Sequence, residues 1–265
     1  MNISDESKNI FKESMKAALP DLFEILQKQE SSIFLLGSGV FELYASNGWC
    51  SELSRQTTDL DFSFEIVVDH TDYQASCAEL LKKGYKLDDI HPYRYLSPSR
   101  LGPYIYVDLL TFTVIKERES MARGLMGAGE SFSFKGMEFA KQFPLKLEDK
   151  ILVPNPLAFI YLKMIAYREN PDRRLKDFVD VFELVVGFVL KRSILDSLKQ
   201  IAIDAGGDPV ISEIKKMIKA VSEDSSPTWD YEVVENQILL RSSLENLDHQ
   251  ALKEFFRIFL QEVFE

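Results

Sequence analysis

Along the first 150 residues, short strand-like apolar runs are interleaved with helically spaced segments; from about residue 155 onward apolar positions recur every third or fourth position. Residues 4–29 read as helical, with Ser4 as N-cap and Phe11, Met15 and Ala18 on one face. Pro20 interrupts this segment and starts a second helix through Phe23, Ile25 and Leu26. Residues 33–36 form the first strand, 39–47 the helix after it, and 48–58 a loop. Residues 59–67 alternate as a strand, and 71–83 form an amphipathic helix that ends at Gly84, a residue suited to close a helix. Strands follow around 93–97 and 104–113. Residues 121–129 are Gly-rich but lack a Gly-Lys-Ser/Thr sequence, so they read as a flexible connection rather than a phosphate cradle. Two short strands, 131–134 and 137–140, pair through Lys135-Gly136, and 145–152 supplies one more.

At Asn155-Pro156 the character changes. Asn155 as N-cap and Pro156 at the first helical position start a helix that runs to Tyr167. Asn170-Pro171 repeats the signal for a longer helix, to about Gly187. Further helices span about 191–204, 209–221 and 248–264, the last with Leu252, Phe255, Phe256, Phe259 and Leu260 on a broad apolar stripe. Residues 222–228 are the clearest loop of this half, and no internal repeat is present. The fold class is therefore α/β (α+β): a mixed α/β half over residues 1–150, followed by an all-helical half over 151–265.

Composition narrows the setting. With 46% apolar and 28% charged residues, the 265-residue chain is of ordinary globular make-up and long enough to bury a substantial core. There is no apolar run of membrane-spanning length, and the first residues lack the basic and apolar segments of a signal peptide. Cys50 and Cys77 are too few for a disulfide framework, and no Cys/His cluster has zinc spacing. The expectation is a cytoplasmic, reducing compartment and no membrane partner. A net charge of −11 argues against a bulk electrostatic grip on nucleic acid. It leaves room for an RNA end in a local basic groove, fits a cationic small molecule or a protein target at least as well, and also serves plain solubility.

The candidate chemistry sits in three places. A buried strand runs into Gly37-Ser38, and backbone N–H groups at such a turn, where it opens a helix, make an anion site. Asp59 and Asp61 are two apart on a strand and so share a face, with Leu60 and Phe62 on the other. Side-by-side carboxylates repel unless a cation sits between them, and oxygen ligands of this kind suit a hard divalent ion such as Mg²⁺. Asp108 lies mid-strand between apolar and aromatic neighbours, where an unpaired carboxylate is costly.

Each feature also has a bland explanation. Asp59 and Asp61 fit a solvated edge strand, Asp108 an ion pair with a nearby Arg, and Gly37-Ser38 an ordinary strand-to-helix turn. Lys163, on a helix side otherwise made of Phe159, Ile160, Leu162 and Met164, fits a snorkelling lysine. Arg174, Lys176 and Asp177 fit a solvated helix face. Tyr93, Arg94, Tyr95, Tyr104 and Tyr106 form an aromatic group with one cation, able to stack a base or simply to pack a sheet. His70, His91 and His249 are scattered, with no nucleophile to serve.

Gly37-Ser38, then Asp59-Leu60-Asp61, then a lone strand carboxylate at Asp108 resemble the DNA polymerase β-like nucleotidyltransferase superfamily. The fuller string Arg55-x-x-Thr58-Asp59-Leu60-Asp61-Phe62 is similar to the branch holding the abortive-infection (type IV) toxin nucleotidyltransferases. So are the helix around Lys163 and the later Arg174-Leu175-Lys176-Asp177. The resemblance covers roughly residues 31–180; many of the closer relatives carry a second Gly where this chain has Ser38.

It implies a mixed-sheet nucleotidyltransferase catalytic domain over 1–150 and a helical domain over 151–265 that closes over the nucleotide cleft. It implies Asp59, Asp61 and Asp108 as catalytic carboxylates and ligands of Mg²⁺ (or Mn²⁺), with Asp108 as base. Gly37, Ser38, Arg55, Thr58, Lys163, Arg174, Lys176 and Asp177 would be nucleotide contacts. The implied reaction moves a nucleoside monophosphate from an NTP such as ATP or GTP to a hydroxyl of an RNA 3′ end, a protein or a small molecule, and releases pyrophosphate. A toxin–antitoxin setting adds a cognate antitoxin as partner. The alternatives are a catalytically silent nucleotide- or partner-binding module of the same fold, and an interaction protein that works through its helical half.

Overall fold

A computed structural model describes residues 1–19, 21–50, 59–65, 71–98, 105–112, 121–123, 131–133, 136–223 and 249–265. The strand β1 (Ile33–Leu36) is buried at all four positions, as its unbroken apolar run requires. It pairs antiparallel with β2 (Asp59–Glu65) and parallel with β9 (Ile151–Val153). β2 in turn pairs parallel with β5 (Tyr106–Phe112) over its whole length. With β3 (Lys86–Leu87), β4 (Arg94–Leu96) and β8 (Leu145–Lys146) these make a seven-stranded mixed sheet in the order β3-β4-β5-β2-β1-β9-β8.

Alternation divides the sheet into two faces. Leu35, Leu60, Phe62, Val107 and Leu109 are buried on one. Above it lie α3 (Gly37–Ser46), whose Gly39 backbone rests against Leu35 and Leu60, and α4 (Thr71–Lys82). Tyr73 of α4 meets the Phe64 ring edge-on and donates its hydroxyl to the Leu109 carbonyl at 3.3 Å. Outside these, α1 (Asp5–Ala18) packs on α3, and α2 (Leu22–Gln27) packs on α4. The Ser4 hydroxyl accepts the Ser7 N–H at 3.1 Å, the cap expected of it. The other face carries Asp61, Ser63, Glu65 and Asp108. The Phe34 and Phe112 rings, on the same face, meet edge to face with centroids 5.8 Å apart.

The chain divides into two units, one of Asn2–Ser46 and Gln56–Pro154, the other of Met1, Asn47–Arg55 and Asn155–Glu265. The second contains α6 (Pro156–Glu169), α7 (Pro171–Val189), α8 (Arg192–Asp204), α9 (Pro209–Ser222) and α10 (His249–Phe264). α6 packs on α7, and α10 packs on α7, α8 and α9. An aromatic column fills this core. Tyr167 stacks on Phe178 at 4.8 Å, Phe178 meets Phe182 at 4.7 Å, and Phe182 meets Phe256 at 4.6 Å. Among the described residues no helix is long and apolar enough to cross a membrane.

Three local expectations are corrected. Residues 137–140 are not a strand: Met137–Gln142 is a helix, α5, entered through Gly136 at φ 94. Met, Glu, Ala, Lys and Gln are strong helix formers, and Met137, Phe139 and Ala140 are buried while Glu138 and Lys141 are exposed, a helical rather than an alternating pattern. β7 (Ser131–Ser133) therefore pairs not with 137–140 but with β6 (Met121–Arg123), so the start of the Gly-rich stretch is a strand. The segment 145–152 is two short antiparallel strands, β8 and β9, because Leu147 and Glu148 both turn back to donate to the Ile151 carbonyl. The edge strand β3, too short to show a period, was not anticipated. The loop at 222–228 lies outside the described residues apart from its first two positions.

Candidate functional site

Strand register brings two of the three expected carboxylates side by side. Asp61 of β2 stands directly opposite Asp108 of the parallel strand β5, and on its other side opposite Leu36, the last residue of β1. The chain passes straight from Leu36 into α3 at Gly37, so Gly37 and Ser38 sit at the helix N-terminus beside Asp61. Gly37 holds φ +61, and a Cβ built there would stand 1.8 Å from Asp61 Oδ2. The carboxylate thus lies against the bare Cα, and glycine is required both for the left-handed backbone and for the space. Ser38 is buried and Asp61 half-buried. The N-terminus of a helix favours negative charge.

Asp108 is only 4% exposed and is gripped by a residue of the next strand. Arg94 of β4, its antiparallel neighbour in register, donates from Nε to Oδ1 at 2.7 Å and from Nη2 to Oδ2 at 2.7 Å. This is the two-pronged geometry in which Arg and carboxylate pair most strongly. The guanidinium also lies 5.1 Å from the centroid of the Tyr106 ring, so the expected aromatic group acts partly as a platform for the cation. Arg94, Tyr106, Asp108 and Asp61 thus occupy neighbouring positions on three adjacent strands. Further along the same face, Glu65 is buried and paired with Lys141 of α5.

Asp59 pairs with Tyr106 through its backbone at the start of β2; its side chain, together with Arg55 and Thr58, lies outside the described residues. Among the described residues no group of three His, Cys, Asp or Glu side chains is arranged to hold a metal ion. The donor set that is described, two strand carboxylates in register, is nevertheless chemically suited to a hard divalent cation.

Lys163, Arg174, Lys176 and Asp177 belong to the helical unit. Lys163 of α6 is buried, and its ammonium donates to Asp177 Oδ1 at 2.6 Å and to Asp180 Oδ2 at 2.8 Å, both on α7. Arg174 approaches the second oxygen of Asp177 at 3.5 Å, at a kink where its own backbone leaves the helix (φ −114, ψ 17). Burial alone disfavours the charged lysine, but the Asp180 and Asp177 carboxylates more than offset it and hold the Lys163 ammonium above its ordinary range. Burial likewise pushes Asp177 up, and Lys163 overcomes that and keeps its carboxyl below the usual value. Lys176 is half-buried. Sequence reasoning named Lys163 and Asp177 but missed Asp180, whose signal was a second aspartate about one turn after Asp177 on α7. The ion pair with a nearby Arg that the sequence offered for Asp108 is what is found, with Arg94 as the cation.

Elsewhere in the helical unit Cys50 is buried, and that burial first and Glu183 second push its thiol well up, away from the reactive thiolate. No protein-family model matches the chain, and no curated protein and no solved structure matches it.

Proposed function

We propose that the chain is a metal-dependent nucleotidyltransferase that moves a nucleoside monophosphate from an NTP to a hydroxyl acceptor. The observation that carries this reading is the register of Asp61 and Asp108 beside a glycine-started helix N-terminus. Strand carboxylates next to an anion-binding backbone turn are what a metal–triphosphate complex needs, one for the cation and one for the phosphates. Asp61 and Asp108, with Asp59 from the same strand as Asp61, are the residues that would hold Mg²⁺ or Mn²⁺. The ion would supply neutralisation of the triphosphate and acidification of the acceptor hydroxyl. In the reaction the acceptor hydroxyl gives its proton to Asp108 as base, its oxygen bonds to the α-phosphorus, the bond from that phosphorus to the bridging oxygen breaks, and pyrophosphate leaves. The backbone at Gly37 and Ser38 binds phosphate, and the close contact with Gly37 fixes the Asp61 carboxylate. An RNA 3′ end, a protein hydroxyl and a small molecule remain the acceptor classes, and an antitoxin remains a proposed partner.

One observation favours a second reading. Arg94 already neutralises Asp108 without any metal, as it would in a silent module that binds nucleotide or a partner and never turns over. Each α-labelled NTP, incubated with Mg²⁺, the protein and a cell extract, distinguishes the two. Label moving into an RNA, protein or small-molecule fraction with wild type but not with Asp61→Asn or Asp108→Asn supports transfer. Bound NTP with no label moved in any fraction supports the silent module. The contacts expected of Arg174 and Lys176 are read in the same assay from their alanine variants.

A further inference from the structure

We propose that Arg94 is a positioning residue that holds Asp108 closed to divalent cations and gives it up only when an anion, the nucleotide's phosphate, takes the guanidinium. This rests on the nucleotidyltransferase reading and adds to it an order of events and a residue that governs it.

Both oxygens of Asp108 are engaged at 2.7 Å, on different nitrogens of one planar group. The side chain of Asp108 is 5% exposed, whereas that of Arg94 is 26% exposed. A cation approaching Asp108 therefore meets a carboxylate whose charge is matched and whose acceptor positions facing Arg94 are filled, and it must displace a desolvated pair. Breaking such a pair without replacing either partner is strongly unfavourable. The pair separates readily only if Arg94 finds another oxyanion as the cation arrives. A triphosphate offers one, because guanidinium binds phosphate in the same two-pronged way as carboxylate.

The surroundings fit an exchange of this kind. The guanidinium rests beside the Tyr106 ring, at 5.1 Å from its centroid, so it keeps an aromatic contact that does not depend on Asp108. Asp61, one strand away and in register with Asp108, stands beside Gly37, the first residue of α3. Without Arg94, two adjacent carboxylates would repel each other, and a divalent cation would relieve that repulsion. Arg94 thereby keeps a cation from Asp108 until its own charge is taken up by another anion.

Manganese binding in the absence of nucleotide reads this directly, by electron paramagnetic resonance of free Mn²⁺, on wild type, Arg94→Gln, Arg94→Lys, Asp61→Asn and the Arg94→Gln/Asp61→Asn double variant. The expected result is weak binding by wild type, binding at least about tenfold tighter by Arg94→Gln, and loss of that gain in the double variant. A merely structural role for Arg94 would lower affinity when it is removed, not raise it. Arg94→Lys keeps the charge but not the fork and is expected in between; it carries the test if Arg94→Gln does not fold by circular dichroism. Equal Mn²⁺ affinity in wild type and both Arg94 variants, with Asp61→Asn abolishing it, overturns the Arg94 proposal and leaves the metal site standing. Mn²⁺ binding unaffected by Asp61→Asn in every background overturns the metal-site reading itself, and the Arg94 proposal with it.

Discussion

Replacing Gly37 with alanine puts a methyl carbon 1.8 Å from Asp61 Oδ2 and asks a residue with a side chain to hold φ +61. The backbone term alone costs about 1–2 kcal/mol, and the collision adds to it by pushing the carboxylate aside. Gly48→Ala is the control. It meets the same backbone cost at φ +70, but its nearest neighbour is the flexible tip of Lys191 at 3.3 Å. Urea denaturation should show the larger loss for Gly37→Ala, and only that variant should lose transfer. A second prediction concerns Lys163. Lys163→Met leaves Asp177 and Asp180 buried without their central cation, which costs roughly 3–5 kcal/mol at neutral pH. The sign of its pH dependence follows from linkage. In wild type the folded Asp177 carboxyl lies below its ordinary value of 3.8, so its contribution is full above that value and lost as pH falls through the lower folded one. In Lys163→Met the burial of Asp177 is no longer opposed by the ammonium and favours its protonation, so acid stabilises the folded variant. Equilibrium unfolding at pH 7 and pH 4 should therefore show the gap between the two proteins narrowing; a gap of constant width would mean that the pair is not coupled as drawn.

At the scale of elements, two helices start with the same Asn-Pro signature and are capped differently. Asn155 Oδ1 accepts the Ala158 N–H at 3.1 Å in a fully buried position. Asn170, at φ −151 and ψ 74, makes no side-chain cap to α7. Asn155→Ala should cost about 1 kcal/mol or more, whereas Asn170→Ala should be near neutral, as measured by shifts in the urea midpoint. The difference was not legible from the dipeptides, because a cap depends on the dihedrals with which the chain enters the helix. The same limit explains α5: Met137 and Phe139, two apart, imitate a strand, and only the simultaneous burial of Ala140 shows the helix. The helices α6 to α10, by contrast, were readable within a few residues, since long amphipathic repeats and proline starts are local signals.

For the whole molecule, the sheet joins positions far apart in the chain. β1 pairs with β9, more than a hundred residues later, and β2 pairs with β5 across α4, β3 and β4. In the α/β unit, amide hydrogen exchange should be slowest in β1, β2 and β5, which have strand neighbours on both sides, and fast at the edges β3 and β8. Edge amides as protected as central ones would argue for a further partner on an edge. The net charge of −11 belongs to this scale as well. It bears on solubility and on the approach of charged acceptors, and not on the local pairing at Asp108, where one guanidinium decides the sign.

The sequence by itself determined that β1 runs into Gly37 and α3, that Asp61 and Asp108 occupy strands, and that an all-helical region follows residue 155, because each of these is written in spacing and turn chemistry over a few residues. Only the tertiary structure decided that Asp61 faces Asp108, since register between strands nearly fifty residues apart is set by how both bury their apolar faces and not by either strand alone. It likewise decided the partners of the charges. Arg94 meets Asp108 because β4 folds back beside β5, and Lys163 meets Asp177 and Asp180 because α6 and α7 pack together. A buried charge has to be matched, and which residue matches it depends on what the fold brings within hydrogen-bond reach.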